Sequence, residues 1–100
     1  MVRHVILWTL KDSLSADEKE SVKIAAKEQL EGLLGKVPSL RSISVSISPL
    51  PTSNCDIMLD AFFDNAQGLS EYSLHPLHVE VANTYVRPYT ASRVCFDFKA

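Results

Sequence analysis

The order of elements legible in the sequence, β-α-β-β-α-β, predicts an α+β fold with two helical regions on one face of a four-stranded antiparallel sheet. Three observations carry it. Residues 3–10 and 55–63 hold apolar side chains at both parities, as the central strands of a sheet do. Residues 40–48 alternate apolar and polar, as a half-buried strand does. A capping box before the first helical pattern and a proline inside the second mark where helices start and break.

In chain order, residues 3–10 (RHVILWTL) form the first strand, with His4, Ile6, Trp8 and Leu10 on one face and Val5, Leu7 and Thr9 on the other. Ser15 and Glu18 form the capping box of a helix running to about Leu34, whose apolar stripe is Val22, Ala26, Leu30, Leu33 and Leu34. Gly35 is its left-handed cap and Pro38 prevents its resumption. In the second strand, residues 40–48, Ile43, Val45 and Ile47 share one face and serines the other. A connection rich in proline and serine leads to the third strand, residues 55–63 (CDIMLDAFF). The second helical region spans about Ala66 to Tyr85, broken at Pro76, and Pro88 ends it before a last strand at about Ser92–Lys99. This is the ferredoxin-like order, with strands one and three central.

One hundred residues, 46% apolar and 22% charged with three Gly and five Pro, read as one folded domain over residues 1–100. A formal charge of −2 and no basic run exclude a nucleic-acid footprint. The first apolar stretch ends at Lys11 and Asp12, too soon for a signal-peptide core or a membrane span, so the expected location is cytoplasmic with no membrane partner. Cys55 and Cys95 fall in apolar strand runs and read as buried free thiols rather than a disulfide framework. Two helices cover one sheet face only, so the other needs a partner, and a homodimer with sheets face to face is the simplest remedy. The ligand cavity is expected near that uncovered face.

The segment from Tyr72 to Val79 (YSLHPLHV) is the most specific stretch. Pro76 pushes His75 away from helical angles, so the helix stops near Leu74 and restarts with Pro76 in its first turn. On an unbroken helix Tyr72 and His78 would stand ~120° apart, whereas a break lets both face one pocket.

Together with Val2-Arg3-His4-Val5, Val37-Pro38 and Phe96-Asp97-Phe98, this segment resembles the stress-responsive dimeric α+β barrel family, often called Dabb. The resemblance spans nearly the whole chain and implies a homodimer whose sheets form a barrel. The plant polyketide cyclases of the olivetolic acid cyclase type are its functional comparison. That likeness implies His78 as general base, Tyr72 as its partner at the substrate carbonyl, and His4 in a supporting position. Ser48-Pro49-Leu50-Pro51 stands where many members carry a glycine, which implies a differently shaped cavity mouth.

In such a site, a neutral His78 would abstract an acidic proton between two carbonyls, and Tyr72 would donate to the oxygen on which charge develops. The bland reading of the pair is that each satisfies backbone groups at the break. His75 fixes the break through a local hydrogen bond or joins the substrate pocket. His4 and Trp8 are pocket walls or core, and Phe62 is weighed with them. Asp60 and Asp97 each orient a histidine or reach solvent, and most of Arg3, Arg41, Arg87 and Arg93 are read as solvated charges. His75 and His78 at i, i+3 make half a metal site, so neither a metal nor a cofactor is expected. The reading is a cofactor-independent lyase or cyclase acting on a small carbonyl-rich apolar ligand. Against it stand a non-catalytic small-molecule-binding or stress-associated dimer and, third, a cofactor-free monooxygenase.

Overall fold

A nine-residue strand rich in β-branched and aromatic side chains opens the fold: β1, Val2–Leu10, with its even-numbered side chains buried and its odd ones half-buried. The computed structural model describes residues 1–100. Helix α1 (Ala16–Glu31), β2 (Ser42–Ser46), β3 (Ile57–Phe63), α2 (Ala66–Leu74), α3 (Pro76–Val81) and β4 (Thr90–Lys99) follow. The sheet order is β2-β3-β1-β4 with every pairing antiparallel, so β1 and β3 are central as their two-sided apolar pattern requires.

Even residues of β1 and odd residues of β3 point to the helices, and Ile6, Trp8, Leu10, Ile57, Leu59, Ala61 and Phe63 meet Val22, Ala26 and Leu30 of α1 in the core. The opposite face carries Val5, Leu7, Met58, Phe62, Val94, Phe96 and Phe98 and no helix. Val94 and Phe96 are 61% and 67% exposed there. Across the same face Arg3 grips Asp60 through two nitrogens, at 2.8 and 2.5 Å, with its guanidinium over the rings of Phe62 and Phe98.

The capping box is formed as read: Ser15 Oγ accepts from the Glu18 amide and Glu18 accepts from the Ser15 amide. The α-helix ends at Glu31, short of Leu34, because tightened turns carry the chain from Gly32 to Val37. Gly35 sits inside those turns at φ +87°, the left-handed region that favours glycine. Leu33 is buried, but the turns rotate Leu34 out to 49% exposure. Strand β2 is only five residues long, and its free edge is covered by α1: Glu31 accepts from the Val45 amide at 2.9 Å, and Lys27 donates to the Val45 carbonyl and to Glu31.

Cys95 is exposed, not buried, because it lies on β4, an edge strand exposed along most of its length. Ser48 and Pro49 border a depression of about 290 Å³ that Leu7 and Met58 line from the open face. Cys55 is half-buried, and both cysteines are free thiols.

Candidate functional site

Helix α2 starts on Asn65, whose side chain accepts from the Gly68 amide, and places Tyr72 on its inner face, 1% exposed. His75 then leaves helical geometry at ψ 132°, and Pro76 opens α3 at a position where its missing amide hydrogen costs nothing. The His75 side chain is the N-cap of α3, its Nδ1 accepting from the Leu77 amide at 3.1 Å. It is not in the wall of the cavity that His4, Trp8 and His78 line, and the local role weighed for it is the one the geometry displays.

The break sets His78 against Tyr72, with ring centroids 4.4 Å apart. His78 Nδ1 lies 3.2 Å from the Ser73 carbonyl, which can only accept, so Nδ1 carries the hydrogen and Nε2 is left with its lone pair. Burial lowers the His78 pKa from its ordinary value; the Ser73 carbonyl works against this, and the charges of Arg87 and Arg93 reinforce it. The Tyr72 hydroxyl is buried with no hydrogen-bond partner, and burial pushes its pKa up. Phe63 packs on Tyr72 at 5.1 Å, and His4 stands edge-on to Tyr72 at 6.5 Å.

His4 is the buried polar residue of the core face. Its Nδ1–H donates to Asp97, its direct partner across β1 and β4, which answers what Asp97 does. Cys95, two residues before Asp97 on the same face, donates its S–H to the same carboxylate oxygen at 3.4 Å.

Between these groups and the sheet lies a cavity of about 70 Å³, walled among others by His4, Trp8, His78, Val86, Arg87 and Arg93. It lies on the helix-covered face, not the open one, between β1 and β4 on one side and His78, Ala82 and Val86 on the other. Trp8 is a wall as well as core, whereas Phe62 is on the far face. Tyr72 stands behind the wall formed by His78 rather than in it. The sequence did not signal the π-helical turn Ala82–Val86 that follows α3, in which the Arg87 amide reaches back to the Ala82 carbonyl. This wider turn sets Ala82 and Val86 into the wall and is followed by the 3₁₀ turn Arg87–Tyr89 that brings Arg87 to the rim. Of the arginines, Arg3 and Arg41 are paired with Asp60 and Asp64, while Arg87 and Arg93 face the cavity.

A larger depression, about 500 Å³, lies on the outside between α1 and Tyr85 and Tyr89. Its rim carboxylates are Asp17 and Glu18, the latter engaged in the capping box, and no histidine lines it. No helix of the chain is long and apolar enough to cross a membrane.

Comparison with known proteins agrees with this architecture. A dimeric protein of ferredoxin-like fold from Bacteroides fragilis superposes with a TM-score of 0.93 at 31% identity, over 99% of this chain and 95% of that one. An uncharacterized protein of Streptomyces coelicolor, SCO4036, is 31% identical over 80 residues, 78% of this chain and 79% of that protein. Hydroxynitrile lyase from Passiflora edulis shares the fold at a TM-score of 0.70 and 17% identity, over 97% of this chain and 90% of that one. The sequence profile of the stress responsive A/B barrel domain matches residues 2–100. With its βαββαβ order, its covered and open sheet faces and that match, the chain belongs to the stress responsive A/B barrel domain family, Dabb.

Proposed function

We propose that this chain works as a homodimer, paired through its open sheet face, in which His78 abstracts a proton from carbon next to a carbonyl and Tyr72, whose hydroxyl is uncovered when the His78 wall shifts on substrate binding, stabilises the enolate oxygen. The observation that carries the reading is the fixed tautomer of His78. With Nδ1–H held by the Ser73 carbonyl, Nε2 is a base that stays neutral at physiological pH, beside a phenol that has a hydrogen to give and no acceptor. The enolate then attacks a second carbonyl, an aldol-type ring closure, or expels a leaving group, a lyase reaction. A lyase with the same fold is in keeping with this, though at 17% identity that likeness speaks for the fold. Dimerisation is supported by the dimeric Bacteroides fragilis relative and by the exposed Val94 and Phe96.

The cavity size favours a small substrate, and a polyketide chain would fit only with α3 and the Arg87–Tyr89 turn displaced. The same tightness and the sealed Tyr72 hydroxyl support a second reading, a non-catalytic dimer that binds a small molecule beside His78. Screening small β-dicarbonyl compounds for product with wild type, His78→Ala and Tyr72→Phe separates the two. The lyase or cyclase reading expects turnover that both substitutions abolish with the dimer intact. Binding without product in all three proteins leaves only the second reading.

A further inference from the structure

His4, Cys95 and Asp97 bring three different donor types together at the β4 edge, their ligand atoms all within 4.8 Å of one another. The sheet dictates the arrangement. His4 and Asp97 are direct cross-strand partners, and Cys95 is two residues from Asp97, so all three side chains leave the same face of two adjacent strands. His4 Nδ1 and Cys95 Sγ lie 3.7 Å apart, and both aim their hydrogens at one oxygen of Asp97. Two protons thus share a space bounded by a nitrogen, a sulfur and an oxygen, the setting in which a metal ion replaces protons.

We infer that His4 Nδ1, Cys95 Sγ and Asp97 Oδ1 form a three-ligand site for a borderline divalent transition ion, zinc above all, with its fourth position open to solvent. A thiolate, an imidazole and a carboxylate together suit zinc in tetrahedral geometry and disfavour magnesium and calcium, which take oxygen ligands. On binding, the Cys95 thiol releases its proton to solvent, and the His4 hydrogen moves from Nδ1 to Nε2, which frees the Nδ1 lone pair for the metal. Cys95 and Asp97 are solvent-exposed, which gives the ion a path in, while His4 is buried and held in place by the core. The cluster lies on the sheet face opposite the one left for a second copy, so pairing through the open face leaves it free. Arg93, on β4 and facing the same side, is a positive charge that limits affinity, and His78 and Arg87 are the other charged or titratable groups turned toward this end of the cavity.

The test uses the full chain, reduced and stripped of metal with chelator, titrated with Co²⁺ and then Zn²⁺. The inference expects a near-ultraviolet thiolate-to-cobalt charge-transfer band that saturates at one ion per chain and is bleached by Zn²⁺. Cys95→Ser, on an exposed edge strand that folds without the thiol, loses the band. Asp97→Asn weakens Zn²⁺ binding about tenfold or more. Cys55→Ser, which removes the other thiol, leaves the band unchanged. No band in the wild type, a band that survives Cys95→Ser, or one lost in Cys55→Ser overturns the inference.

Discussion

The Tyr72 and His78 rings stand 4.4 Å apart across the Pro76 break, although six residues separate them and a continuous helix would turn them ~120° from each other. The break therefore positions the pair, and the Ser73 carbonyl, freed at the end of α2, fixes the His78 tautomer. One proline thus provides both the geometry and the proton state of the site.

The unpartnered Tyr72 hydroxyl separates a stability role from a chemical one. A buried hydroxyl without a partner costs about 1–3 kcal/mol. Tyr72→Phe therefore leaves the melting temperature unchanged or raises it, while turnover falls by about a hundredfold or more as the donor to the enolate oxygen is lost. Calorimetry and a rate assay on the same preparation read both.

His78 titrates below the ordinary histidine value because burial outweighs the Ser73 carbonyl. As pH falls, the unfolded chain binds the proton first, so stability drops from the ordinary histidine pKa down through the lower folded one. Activity that needs neutral His78 persists to the same lower pH. An NMR titration of the His78 ring should give a midpoint below that of a denatured control; a midpoint at or above it contradicts the burial argument.

His75→Ala removes the cap that holds the Leu77 amide and should destabilise the fold by about 1 kcal/mol. His75→Asn, with a capping oxygen, should recover most of the loss. If His75 acts only as this cap, neither change alters the pH profile of turnover.

Glu31 closes the β2 edge. Burial opposes its charge, yet the Lys27 ammonium and the Val45 amide prevail and hold its carboxyl below the usual range. Its stabilising effect is present above the unfolded pKa and is lost as pH falls through the folded one. Glu31→Ala should cost about 1 kcal/mol, with faster amide exchange at Val45 in β2 as the local signature.

Local signals carried the sequence reading furthest. Ser15 with Glu18, Pro76 after His75 and the two-sided apolar pattern of β1 each act within a few residues, and each is where the reading placed it. Long-range placement was less legible. Parity assigned His4 and Trp8 to one face, but only the docking of α1, α2 and α3 decides that this face is covered and that the cavity opens there. Cys95 sits in an apolar run, yet the sheet order puts β4 at an edge where most of its side chains are exposed. The π-helical turn, which packs against α1, has no local signature in ANTYV.

Hydrogen–deuterium exchange at the acidic carbon of small 1,3-dicarbonyl compounds, followed by NMR in D₂O, tests the base–donor pair most directly. It reads proton abstraction without knowledge of the physiological substrate. The pair predicts exchange faster with wild-type protein than in buffer, abolished in His78→Gln and slowed in Tyr72→Phe. Exchange at the buffer rate with folded wild-type protein, or equal exchange in His78→Gln, would contradict it.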